Sequence, residues 1–171
     1  MSESASDEGG SDEGGTDGGG TDGGGSSAVS APIRAEPFER ARFRTFRPMP
    51  LRWGDIDRYG HANNVAYLAW FDTAVNDCYA AAGFLADTDP HFVVAETGCA
   101  FHREVTFSDR IAIGVRPARI GRSSVTYDLA VFAGDEPRAR AQGRYVHVLV
   151  SDANGRAVPI EGRLRRFLEA L

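Results

Sequence analysis

Arg52-Trp53-Gly54-Asp55-Ile56-Asp57-Arg58-Tyr59-Gly60-His61-Ala62-Asn63-Asn64-Val65-Ala66-Tyr67-Leu68-Ala69-Trp70-Phe71-Asp72 is the stretch on which the reading of this chain turns. Its first half is dense in turn formers. Its second half opens a helix: Asn63 or Asn64 can serve as N-cap, and Val65, Leu68, Phe71, Val75, Cys78 and Ala82 follow three and four apart. Gly83 supplies the stop, so the spacing predicts a helix of about five turns. Tyr67, Trp70, Ala74 and Tyr79 widen the apolar surface beyond one stripe. The expectation is a mostly buried helix, covered on more than one side.

Upstream, Phe43 to Trp53 reads as extended, and Pro48 and Pro50 remove ladder donors, which points to an edge strand or a bulge. Downstream of residue 90 the period changes to two. Ile111, Ile113 and Val115 share one side; Val125, Tyr127, Leu129 and Val131 repeat the pattern; Tyr145, His147 and Leu149 oppose Val146, Val148 and Val150. Gly121-Arg122, Gly134-Asp135 and Asn154-Gly155 mark turns, and Glu161 to Leu171 suits a short surface helix. One strand, one long helix and about four antiparallel strands predict an α+β domain in which a curled sheet wraps a single helix.

The ends and the charge sharpen this. Residues 6–25 are four pentads, SDEGG, SDEGG, TDGGG and TDGGG, with no apolar side chain to bury, so residues 1–34 are expected to be a disordered acidic tail and residues 35–171 the domain. Seven acids and no base lie in residues 1–33, which leaves 17 acids against 19 bases in the remainder. A body so close to neutral lacks the basic stripe of a nucleic-acid binder. All 19 basic residues are Arg. Cys78 and Cys99 have no metal or disulfide spacing and read as buried thiols. Neither a membrane span nor a signal peptide is evident, so a cytoplasmic protein without membrane or nucleic-acid partners is expected.

The chemistry concentrates where the loop meets the helix. Unpaired N–H groups and the summed peptide dipole at a helix start favour negative charge, such as a carbonyl oxygen becoming an oxyanion, and a nearby carboxylate can act as base or nucleophile. Each residue also has an ordinary reading: Asp57 a turn acceptor, His61 a loop imidazole, Asn63 a cap.

As a string, RWGDIDRYGHANNVAYLAWFD resembles the signature of the hotdog-fold acyl-CoA thioesterases of the 4-hydroxybenzoyl-CoA thioesterase family, Arg-Trp-x-Asp-x-Asp-x-x-Gly-His-Val-Asn-Asn-x-x-Tyr, with Ala62 in place of Val. The segment FHREVTFSDRI, Phe101 to Ile111, is similar to the family's aromatic, basic, Pro, Phe-Gly-Asp strand, with Glu104 for the Pro and Ser108 for the Gly. Gly121-Arg122-Ser123-Ser124 resembles its Gly-x-Ser-Ser turn. The likeness runs from Phe43 to Leu168.

The resemblance implies a hotdog fold and hydrolysis of acyl-CoA thioesters. Asp57 matches the catalytic carboxylate, either as nucleophile or as activator of water. Asn64 matches the position whose backbone N–H polarises the carbonyl. His61 matches the histidine paired with Asp in the plant acyl-carrier-protein thioesterases, which carry Asn where this chain has Tyr59. Candidate substrate-binding residues are Tyr59, Gly60, Asn63, Tyr67, Arg122, Ser123 and Ser124, with Arg103, Arg119 and Arg122 suited to coenzyme A phosphates. No metal or separate cofactor is implied, coenzyme A being part of the substrate, and a homodimer or homotetramer is. Another branch takes its base from a Glu on the long helix; here that helix offers Asp72 and Asp77, while Glu96 and Glu104 fall on predicted strands and Asp109 on a turn. The competing readings are a non-catalytic domain that binds acyl-CoA or acyl carrier protein, and a hydratase or dehydratase, which has a different Asp–His spacing around Asn-Pro.

Overall fold

The computed structural model describes residues 36–84, 90–151 and 155–171. The tail expected over residues 1–34, and Asn154 of the last turn, lie outside them. Contacts divide the chain into Met1–Ser30 and Ala31–Leu171, and the second unit holds every strand and helix of the domain.

Five strands, β1 (Thr45–Met49), β2 (His91–Phe101), β3 (Ile111–Ile120), β4 (Ser124–Ala133) and β5 (Ala141–Val150), form one antiparallel sheet in the order β1-β3-β4-β5-β2. β1 is an edge strand, as Pro48 within it requires, and that residue lies opposite Ala112. The helix α1 (Asn64–Ala81) packs against β1 at one edge, β2 at the other and β3 between. One helix can touch both edges only if the sheet curls around it.

The helix bounds agree with the capping signals. The Asn63 side chain accepts a hydrogen bond from Val65 N–H at 3.1 Å, and Gly83 sits at φ +75°, a conformation that L side chains rarely adopt. The buried face differs from the expected stripe. Tyr67, Trp70, Phe71, Ala74, Val75, Cys78 and Tyr79 go inward, whereas Val65 is 66% exposed and Ala82 half-buried. The inward face is the one that carries the large rings, each contributing about 1.5–3 kcal/mol on full burial. The opposite face, Ala69, Asp72, Thr73, Asn76 and Asp77, is exposed, so α1 is covered on one side of the protomer.

Close approach of helix and sheet requires Gly143. A Cβ there would lie 2.4 Å from the Phe71 ring and 2.9 Å from the Gly98 carbonyl oxygen. The later half of β4 is buried on both faces rather than one, because Phe38, Phe43 and Phe46 cover Ala130 and Phe132 from the convex side. On β5 the large inward residues are Tyr145, His147 and Leu149, while Val146, Val148 and Val150 are half-buried on the other face. Glu96 is on β2, but Glu104 lies in the loop after it, not on a strand. The last helix, α2 (Gly162–Ala170), buries Leu168.

Candidate active site

The loop before α1 is built from backbone outward. Residues Trp53–Asp55 make one turn of 3-10 helix closed by a reciprocal pair: Asp55 N–H donates to Arg52 O, and Arg52 N–H donates to Asp55 Oδ2, both at 2.9 Å. The Arg52 guanidinium adds a bond to Asp55 Oδ1 at 3.1 Å. Burial pushes the Asp55 carboxyl up, but the Arg52 N–H and guanidinium outweigh it and hold the group below the usual carboxylate range. The Trp70 indole N–H also favours that charge without meeting hydrogen-bond geometry.

A tight hairpin follows. Ile56 bridges Ala62, Asp57 N–H donates to His61 O at 2.8 Å, and Gly60, at φ +81°, closes the turn by donating to Asp57 O at 3.1 Å. The half-buried Asp57 takes part through its side chain: Oδ1 accepts from the backbone N–H of Tyr59 at 2.8 Å and of His61 at 3.3 Å. Oδ2 has no partner among the described residues. The ordinary reading of Asp57 as a turn acceptor is therefore true of one oxygen and not of the other.

The hairpin's second arm leads into the helix. Ala62 N–H donates to Val105 O at 2.7 Å and Asn63 N–H to Asp55 O at 2.8 Å. Asn63 caps Val65, so the next amide, Asn64 N–H, is the one left without an acceptor among the described residues. An open carboxylate oxygen on the hairpin and an open amide at the positive end of α1 thus lie on one continuous stretch, residues 57–64. Such a pair can attack, or direct water at, a carbonyl while stabilising the charge that develops on its oxygen.

The remaining candidates separate. His61 meets Asp57 through its backbone amide, not its exposed ring, so no Asp–imidazole pair forms. Tyr59 is 68% exposed, its hydroxyl bonded by Arg58. Gly60 and Asn63 shape the turn and the cap. Tyr67 is buried in the core, edge-on to Phe101, and burial raises its hydroxyl to about 12, against the usual 10. Arg122, Ser123 and Ser124 lie at the β3–β4 turn, and the register pairs the other end of β3 with Met49, just before the loop. Their carbonyls bind Ile160, Leu149 and Gly121. Within one protomer this turn is a whole strand's length from Asp57, so the structure does not bring the two together. Asp109 is a turn residue as expected, bonded to Thr106 N–H at 2.7 Å. Among the described residues no group of three or more His, Cys, Asp or Glu is placed to hold a metal.

Sequence reasoning misses a second cluster. A cleft of about 410 Å³ opens beside the later half of α1, lined by Asp72, Asn76, Tyr79, Phe92 and His147 among others. In the sequence Asp72 is only a helix acid, and His147 only part of an alternation.

A five-stranded antiparallel sheet curled round one long helix, with a carboxylate hairpin at the helix start, defines a hotdog-fold α+β domain. Residues 51–168 match the family model of the thioesterase-like superfamily, and the chain belongs to that family. It is 42% identical to the PA5185 protein of Pseudomonas aeruginosa strain PAO1, covering 80% of this chain and 96% of that one with a TM-score of 0.75. It is 28% identical to a Thermus thermophilus thioesterase complexed with coenzyme A and Zn, covering 75% and 94% with a TM-score of 0.65. The YsmA protein of Bacillus subtilis is 27% identical over 127 residues, 71% of this chain and 84% of YsmA. Thioester hydrolysis is the general chemistry that this membership supports.

Proposed function

We propose that the protein hydrolyses acyl-CoA thioesters to the free acid and coenzyme A. The observation that carries this is the state of Asp57: one oxygen fixed by two backbone N–H groups, the other open, on the hairpin that delivers the open Asn64 N–H. Asp57 Oδ2 either attacks the thioester carbonyl, forming an anhydride that water then cleaves, or takes the proton of the attacking water. The Asn64 N–H and the helix dipole stabilise the oxyanion. The departing thiolate is a good leaving group and needs little protonation, so the exposed His61 ring is not required as a partner of Asp57.

Coenzyme A as the carrier is supported by the Thermus relative's complex, and a cytoplasmic location is part of the same reading. No helix among the described residues is long and apolar enough to cross a membrane. The assembly we propose is a dimer, or a dimer of dimers. Edge strand β2 pairs with β5 alone in the sheet and exposes Val93 at 39% and Val94 at 48%, a surface that a second copy can continue.

The test is thiol release from a panel of acyl-CoAs by the wild type and by Asp57→Asn. Turnover that the substitution lowers by about two to four orders of magnitude while binding persists supports the reading. Tight binding with no thiol released across the panel would establish the non-catalytic alternative instead.

A further inference from the structure

The cleft beside the later half of α1 sets the polar side chains of Asp72, Asn76, His91 and His147 among apolar and aromatic ones. Asp72 uses Oδ1 to accept from the Tyr145 hydroxyl at 2.5 Å, and Oδ2 takes no bond from the described residues. Asn76 spends its side-chain N–H on the Asp72 carbonyl at 3.0 Å, which leaves its side-chain oxygen as an acceptor. His147 is only 3% exposed, and its Nδ1 has no hydrogen-bond partner. Around them stand rings: Phe92 stacked on His147 at 5.4 Å, Tyr145 edge-on at 4.8 Å, and Tyr79 and Phe84 along the wall. An orphaned buried imidazole nitrogen costs free energy.

The position of the cleft sets the length of what enters. Asp72 is eight residues beyond Asn64, which is about 12 Å along a helix. The helix face between them, Val65, Leu68 and Ala69, is apolar and at least partly exposed. An acyl group whose carbonyl sits at Asn64 and whose far end reaches Asp72 needs a backbone of about ten carbons. The chemistry of the cleft sets the character of that end. A carboxylate and an amide oxygen accept hydrogen bonds, and burial among rings keeps His147 neutral by lowering it to about 4. A hydroxyl can donate to Asp72 or Asn76 and accept from, or donate to, the imidazole, whereas a terminal carboxylate meets the charge of Asp72.

We infer that Asp72, Asn76 and His147 form a recognition site for a hydroxyl at the remote end of a medium-length acyl group. This rests on the thioesterase reading and names the substrate class of that site.

The experiment compares matched pairs, ω-hydroxydecanoyl-CoA with decanoyl-CoA, on the full chain. Wild type is expected to favour the hydroxylated substrate about tenfold in kcat/KM, and Asp72→Asn and His147→Phe to reduce that ratio towards one while decanoyl-CoA turnover is kept. Equal rates for the pair, or a preference that both variants retain, would overturn the site and leave thioester hydrolysis standing. Calorimetric binding of the two free acids repeats the comparison without turnover. Tighter binding of the hydroxy acid that Asp72→Asn removes supports the site even where no thiol is released, an outcome that would defeat the hydrolase reading alone. Equal binding of the two acids counts against the site.

Discussion

The Arg140 guanidinium donates to Asp109 Oδ2 at 2.8 Å, and that same oxygen receives the Thr106 N–H at 2.7 Å and its hydroxyl at 3.0 Å. Arg140 also donates to the Glu104 carbonyl and to Glu136. Through these bonds one side chain, only 12% exposed, organises residues 104–109, the loop against which His61 and Ala62 are paired. Burial pushes Asp109 up, but the Thr106 donors and Arg140 outweigh it, so its carboxyl titrates below the usual range.

Replacing Arg140 by Leu strands Asp109 without a counter-charge and leaves Glu136 only the Arg103 guanidinium at 3.4 Å. A loss of about 2–4 kcal/mol in urea-unfolding stability is expected. A change below about 0.5 kcal/mol would show that the loop holds without this side chain.

Asp57→Asn keeps an oxygen for the Tyr59 and His61 amides, whereas Asp57→Ala removes it. The Ala variant is therefore expected to unfold about 1 kcal/mol more easily than the Asn variant. Thermal melts of the two compared at one pH give the answer, and identical midpoints would mean the turn does not depend on that acceptor.

Buried His147 titrates near 4 in the folded protein against 6.5 ordinarily, because desolvation disfavours its charged form. Between those two values the unfolded chain binds more protons. Stability should thus rise with pH from about 4 to about 6.5, by at most about 1.4 kcal/mol per unit, and fall as acid is added. His147→Phe should flatten that segment of the pH profile of the urea midpoint. An unchanged slope in the variant would assign it to other groups.

Gly143→Ala forces a methyl into the Phe71 ring and the Gly98 carbonyl. Overpacking here should lower stability by about 1–3 kcal/mol, and Phe71→Leu in the same chain should recover part of it.

Val93→Lys and Val94→Lys should dissociate the proposed assembly by charging the β2 edge. Sedimentation velocity distinguishes the species; an oligomer untouched by both substitutions would place the contact elsewhere.

The sequence carried the helix well because both of its ends are local: an Asn cap and a Gly stop need no tertiary information. Its buried face was harder to see. Val65, Leu68 and Ala82 satisfy a three-and-four period as well as Trp70 and Tyr79 do, and only packing against the sheet decides which arc goes in. The β3–β4 turn is legible in its residues, but a turn motif says nothing about which end of the sheet it occupies, and the register sets Arg122 a strand's length from Asp57 within one protomer. The cleft was invisible for a related reason. Asp72 and Asn76 on a helix look like a solvated face until β5 brings His147 and Tyr145 beside them.

Among the described residues different side chains hold the two ends of α1: Asp55, Val105 and the Arg140 loop secure the beginning, and the rings of Tyr79, Phe84, Phe92 and Phe167 pack about the end. Substitutions at one end should therefore combine additively with those at the other. A lineage could retune what the far end accepts, generation by generation, without reopening the bond-breaking half to selection.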